Sequence, residues 1–384
     1  MRQEFAAQMT SLDAVRSPAG AAPGRRAAPA RPATDTVEAT LAGLWRRHFR
    51  SVGITGDSRL LDGAVGLRRV MRFVRDAEAT LGTRIPPTGL LRLGTVNAVS
   101  AAIAAQRWPD PSPRILLRDG SADCTLYVVA TGDGVILSLC QVAALIDFPG
   151  QIWGLQLPGL DGESAPLTSI ADIAHYYVDA LPARGPRSAY QFVGYSFGGL
   201  VAVEMARLLQ ARGQPVGLVG LLDTNCYQKY WPKSEWVRFA LRRAGRRLLE
   251  LRTMPPRAAG RHLAAKVGAC LGLLRRRLAG SPAGASPSRS IYYVGGLDPD
   301  FQRVRDASIV AYEAHDPQPV DCPIVLFKSA LGEARACDPA RIWRRLTGTL
   351  EVVAVPGSHA TMLRQPFAHT LAVEVSRRLL RVPE

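Results

Sequence analysis

A chain of 384 residues suffices for one large domain and a smaller one. Apolar residues make up 47% of it, enough for a full core, yet no run reaches the roughly 18 consecutive apolar residues that a membrane span needs. The net charge of +16 is carried almost wholly by arginine, with lysine only at Lys229, Lys233, Lys266 and Lys328. No zinc-finger, helix-turn-helix or RNP-type pattern accompanies that charge, so it points to an acidic protein partner or an arginine-favouring genome rather than to nucleic acid.

Residues 1–35 are rich in Ala, Pro, Arg and Gly and read as a disordered leader; the opening "MRQEFAAQMTSLDAVRS" lacks the apolar stretch of a secretory signal. Cys124, Cys140, Cys226, Cys270, Cys322 and Cys337 are scattered without a C-x-x-C pair, which suits a cytoplasmic protein and argues against a disulfide framework or a metal site. Over 36–106 the runs "VEATLAGLWRRHF", "GLRRVMRFVRDAEATLG" and "TVNAVSAAIAAQ" repeat apolar residues at three and four, predicting a small helical bundle. Residues 107–119, beginning "RWPDPSPR", read as a linker.

From 120 to 384 the pattern alternates. Strands are predicted at 124–130, 151–157, 190–194, 218–223, 322–327 and 350–355, and helices at 135–147, 168–182, 197–212, 303–314, 338–346 and 366–380. The strands are continuously apolar, as in strands buried on both faces, so the fold class is α/β with a mainly parallel sheet. Residues 228–290, Arg-rich and amphipathic, interrupt the alternation and predict a helical lid or a disordered excursion.

The stretch "YQFVGYSFGGLVAVEMARLL" places Ser196 between a buried strand and a clean helix, flanked by Gly194 and Gly198. Glycines let strand and helix backbones approach, and the sharp turn lifts the hydroxyl clear while the Phe197 N–H points to a developing oxyanion. A serine hydroxyl is a weak nucleophile and needs a base held by an acid. In this fold the order is Ser, acid, His. Asp223, ending the strand "LVGLLD", is the expected acid, with Asp338 in "CDPARIW" as rival, although Asp-Pro before a helix also reads as an N-cap. Among the histidines only His359 lies in the loop that follows the final strand, "PGSHATML", since His369 falls inside the last helix. The second oxyanion donor is expected in the loop "ATGDGV", at Gly132 or its neighbour Thr131.

The blocks "WGLQLPGLDGE", "GYSFGGLVAVEMARLLQARG", "LLDT" and "VPGSHATML", in that order, resemble the type I thioesterase domains that end nonribosomal peptide and polyketide synthases. The resemblance covers about 120–380. It implies an α/β-hydrolase fold, a Ser196–Asp223–His359 triad and a lid where the 228–290 insertion falls. The family's oxyanion loop is often Pro-Gly-rich, whereas "TGDG" has no proline. The bundle is similar to an acyl or peptidyl carrier domain, in "LAGLWRRHF", "GDSRLLDG", "FVRDAEATLGTRIPP" and "GTVNAVSAAI". A working carrier holds phosphopantetheine on a serine at the start of its second helix. Here that position falls at Gly66 or Leu67, no Ser or Thr occurs from Asp62 to Arg69, and Ser58 lies too early.

The resemblance therefore implies an enzyme that binds no cofactor of its own and takes an acyl or peptidyl thioester from a partner carrier's phosphopantetheine. An acyl-Ser196 intermediate would be released by hydrolysis or cyclisation. Two alternatives are an acyltransferase passing the group to a second carrier or small acceptor, and a non-catalytic scaffold of a synthase complex.

Overall fold

The computed structural model of the chain describes residues 34–49, 55–59, 67–110, 112–183, 189–226, 298–331 and 338–379, with isolated residues between 231 and 241. Most of the expected leader, most of the 228–290 insertion, and Gly66 lie outside the described residues.

Four helices come first: α1 (Thr34–Phe49), α2 (Leu67–Leu81), α3 (Pro87–Leu93) and α4 (Val96–Ala105). On α2 the residues Val70, Phe73, Val74 and Ala77 recur at helical spacing, and all are buried. Phe73 meets Trp45 of α1 edge-on, with ring centroids 5.0 Å apart. Burial of about 1.5–3 kcal/mol per large apolar side chain, rather than helix propensity, holds so short an element in place. Pro87 opens α3, and Gly94, at φ 71°, ends it by returning its amide to the Leu90 carbonyl. Thr95 then starts α4, its hydroxyl accepting from the Ala98 amide at 3.2 Å.

The remainder is a seven-stranded sheet in the order β1-β3-β2-β4-β5-β6-β7. Its strands are β1 (Arg114–Arg118), β2 (Ser121–Val129), β3 (Gly150–Leu155), β4 (Tyr190–Tyr195), β5 (Val216–Leu222), β6 (Ile324–Ser329) and β7 (Leu350–Val355). All neighbours are parallel except β1, which runs antiparallel to β3. The helices are α5 (Leu137–Leu145), α6 (Ile170–Asp179), α7 (Phe197–Ala211), α8 (Pro299–Ala314), α9 (Pro339–Trp343) and α10 (Phe367–Leu379). Two helix pairs, α5 with α10 and α6 with α7, cover the sheet. Central strands β4, β5 and β6 are buried along nearly their whole length, the fate their unbroken apolar runs imply.

Two elements depart from the sequence reading. The segment expected as a linker contains β1: "RILLR" pairs with β3, its Arg118 guanidinium donating to the Ile146 and Phe148 carbonyls and its Arg114 lying over the Trp153 ring. Three apolar residues between arginines are too short a signal to stand out beside a Pro-rich stretch. β7 reads like its neighbours but is an edge strand, and Val352 is 37% exposed. The bundle meets the sheet through the Arg59 guanidinium, which donates to the Leu116 carbonyl of β1 at 2.8 Å.

The registers set the site. Val129 of β2 lies beside Gly194 of β4, Tyr195 beside Leu222 of β5, and Leu222 beside Phe327 of β6. The carboxyl ends of four adjacent parallel strands therefore finish level, where α/β sheets build their sites.

Candidate active site

Ser196 occupies the corner between β4 and α7 at φ 55°, ψ −115°, a conformation an L-residue adopts only when its surroundings hold it there. Its amide donates to the Leu222 carbonyl at 2.9 Å, and the Gly199 amide donates to its carbonyl at 3.1 Å. The neighbouring glycines are obligatory for space. A Cβ on Gly194 would lie 2.3 Å from the Gly198 carbonyl oxygen, and one on Gly198 would lie 2.4 Å from that of Ala130. Gly199, which the sequence reading did not single out, approaches Thr224 so closely that a Cβ would sit 2.0 Å from its Oγ1. These contacts weld the Ser196 corner to the ends of β2 and β5.

Asp223 follows β5, one strand over, at φ 47° and buried. Its Oδ1 accepts the Ser329 amide at 3.1 Å, and its Oδ2 accepts both the Ser329 hydroxyl at 3.0 Å and His359 Nδ1 at 2.8 Å. Burial pushes this carboxyl up, but the hydrogen bond and charge of His359 and the two Ser329 bonds outweigh it and hold the group below its ordinary value. Ser329 ends β6 and carries no sequence signal of its own; only the pairing of β6 with β5 brings it within reach of Asp223.

His359 lies in the loop after β7. Hydrogen bonds and burial pin this loop. Ser358 donates its amide to Thr361 Oγ1 at 2.9 Å, Met362 donates its amide to the Ser358 carbonyl at 2.9 Å, and the Met362 side chain is fully buried. Gly357, at φ 91°, makes the bend and accepts the Leu331 amide. The rival acid Asp338 is committed elsewhere: it caps α9 by accepting the Ala340 amide at 3.1 Å and pairs with Lys328 Nζ at 3.0 Å. His48 pairs with Asp76 inside the bundle, and His315 ends α8.

Gly132 lies against the start of α7, where a Cβ on it would be 3.5 Å from the Phe197 Cβ. In its loop the Asp133, Gly134 and Val135 amides are taken by Thr131 Oγ1, the Thr131 carbonyl and Asp133 Oδ1. Among the described residues the Thr131 and Gly132 amides have no acceptor. Also among the described residues, no cluster of His, Cys, Asp and Glu is arranged to hold a metal, and no helix is long and apolar enough to cross a membrane.

A strained serine at a strand–helix corner, beside an aspartate holding a histidine, is the layout expected of acyl-transfer enzymes. Residues 140–242 match the family model described as Thioesterase domain. Over those residues the chain is similar to thioesterase domains. Its alignment with the nonribosomal peptide synthetase atrA of Aspergillus terreus is 29% identical over 159 residues, covering 41% of this chain and 17% of that protein. Its alignment with the nonribosomal peptide synthetase acyN of Ascocoryne sarcoides is 25% identical over 219 residues, covering 56% and 23%. The chain thus spans less than a quarter of the length of these relatives. A solved four-domain nonribosomal peptide synthetase bound to AMP and glycine superposes with a TM-score of 0.53 at 20% identity, covering 96% of this chain and 27% of that one. That likeness is one of fold, and at 96% coverage it takes in the helical bundle as well as the sheet. The sheet and its helices form an α/β fold that is parallel except at β1.

Proposed function

We propose that this chain is a serine thioesterase that takes an acyl or peptidyl group from the phosphopantetheine of a partner carrier protein, in cytoplasmic assembly of a nonribosomal peptide or polyketide. The observation carrying this reading is the Asp223–His359 hydrogen bond, at the same strand ends as the constrained corner of Ser196.

Ser196 Oγ attacks the thioester carbonyl as its proton passes to His359 Nε2. Asp223, bonded to Nδ1, keeps the proton on that nitrogen and leaves Nε2 free to accept. The Phe197 amide, at the helix start, and the Gly132 amide receive the oxyanion, an arrangement whose single donors are worth about 10²–10³ in rate. The C–S bond then breaks, the imidazolium returns its proton to the departing thiolate, and an acyl-Ser196 ester remains. Water activated by His359 releases an acid; an internal hydroxyl or amine releases a ring.

The helical bundle is read as a carrier-like module that cannot carry. The position of the missing serine, at Gly66, lies outside the described residues, and Leu67 opens α2. Ser58 stands in a turn with Thr55, its Oγ accepting the Thr55 amide at 2.9 Å. A bundle without a loading serine favours one second reading, transfer of the acyl group to another carrier or small acceptor.

Incubation with a panel of acyl-pantetheine thioesters, with and without candidate amine, alcohol and carrier acceptors, separates these readings. Thioester consumption at the same rate in both arms, with acid or ring as product, is the expected result. Turnover that needs an acceptor moves the reading to transferase, and no turnover of any thioester leaves only a scaffold.

A further inference from the structure

Tyr195, the residue before the corner serine, touches His359 twice. Its ring stacks on the imidazole with centroids 4.8 Å apart and planes 25° from parallel, and its phenol donates to the His359 main-chain carbonyl. Neither contact is needed to make the corner. The space limits there fall on Gly194, Gly198 and Gly199, and the backbone angles on Ser196. Tyr195 ends β4, is nearly buried, and lies level with Leu222, so its backbone is fixed by the sheet before the side chain reaches across to the 356–362 loop.

We propose that Tyr195 is the positioning residue for the base, a role that rests on the thioesterase reading above. Asp223 holds only one edge of the imidazole, at Nδ1, and a single hydrogen bond leaves the ring free to swing about it. Tyr195 closes off one face of the ring and ties the carbonyl of the same residue to the end of β4. Main chain and side chain of His359 are thereby referenced to the strand that carries Ser196, while Asp223 references the ring to β5. The two strands are hydrogen-bonded neighbours, so base, acid and nucleophile share one rigid frame. The stacked π face also favours the imidazolium that forms when Ser196 gives up its proton, an attraction that arises only as the reaction proceeds.

The two contacts separate by substitution. Tyr195→Phe keeps the stack and loses the tether; Tyr195→Leu loses both. The assay is labelling of the full chain by a serine-directed fluorophosphonate, read as rate and as final stoichiometry by intact mass, beside steady-state turnover of an acyl-pantetheine thioester. Tyr195→Phe is expected to label about 2- to 12-fold more slowly, the worth of one net hydrogen bond. Tyr195→Leu is expected to lose a further 2- to 30-fold or so, from the π contact. Both should reach wild-type stoichiometry, lower kcat with KM unchanged, and speed amide hydrogen exchange across 356–362. Wild-type rates in Tyr195→Leu overturn the proposal. So does a loss that appears only as lower stoichiometry at an unchanged rate, since that reports a smaller folded fraction. If wild type neither labels nor turns over, the thioesterase reading fails first, so the two failures are distinguishable.

Discussion

Replacing Asp223 by asparagine exchanges one carboxylate oxygen for an amino group and removes one charge, and the site geometry dictates the consequence. The carboxylate accepts three bonds: Ser329 N–H on Oδ1, and Ser329 Oγ–H and His359 Nδ1–H on Oδ2. In Asp223→Asn the amide oxygen can stay on the Ser329 amide, which can only donate. The new NH₂ then faces the Ser329 hydroxyl, which can turn and accept, and His359 Nδ1, which must also accept. That forces the imidazole proton onto Nε2, the nitrogen required to take the Ser196 proton. The opposite flip sets the amide nitrogen against the Ser329 N–H, leaving buried donors unpaired at about 1–3 kcal/mol each, so the wrong tautomer prevails. Loss of the correct tautomer costs serine-triad catalysis about 10⁴ in kcat, or about 5 kcal/mol of barrier. Pre-steady-state acyl transfer from a pantetheine thioester, with circular dichroism to verify the fold, measures it. A folded Asp223→Asn protein within tenfold of wild type would refute the assignment of Asp223 as the acid.

Other consequences are equally direct. Ser329→Ala removes one of the donors to the Asp223 carboxylate and should lower stability by about 1.5–3 kcal/mol, the worth of a hydrogen bond to a charged group, together with a slower acylation step; denaturant melts and single-turnover rates check both. Gly198→Ala should fail to accumulate as folded protein or melt far below wild type, because its Cβ would meet the backbone oxygens of Ala130 and Val129 at 2.4 and 2.5 Å, and neither can swing aside as a side chain would. Asp223 is buried, which alone raises its carboxyl, yet the bonds from His359 and Ser329 leave it below its ordinary value. A group lowered on folding stabilises the native state above its unfolded value, about 3.9, and the benefit disappears as pH falls through the folded value. The melting-temperature gap between wild type and Asp223→Asn should therefore be widest near neutrality and shrink below about pH 4. Treatment with a broad-range phosphopantetheinyl transferase should add no mass to the chain, and modification anywhere in 36–106 would show that the bundle can be loaded.

Much of the candidate site is legible in the sequence because each part has a local signature. Ser196 sits in a G-x-S-x-G turn between runs of different period, Asp223 closes an apolar strand, and His359 is the one histidine in the loop after the last strand. The alternation of apolar strands with helices likewise carries the α/β class. The illegible parts depend on register or on distance in the chain. Ser329 looks like an ordinary strand end until β6 is laid beside β5. Tyr195 reads as a strand residue until the 356–362 loop folds back onto it. Gly199 matters only because Thr224, distant in the chain, packs against it. β1 escaped because three apolar residues between arginines give no period, and its place at the sheet edge is fixed by pairing with β3 rather than by its own composition.

The most direct measurement is the intact mass of wild type and Ser196→Ala after brief exposure to an acyl-pantetheine thioester, with peptide mapping of any adduct. The wild-type chain should gain the acyl mass on the peptide containing Ser196, and Ser196→Ala should gain none. An equal adduct on both proteins, or one mapped to another residue, would contradict the account.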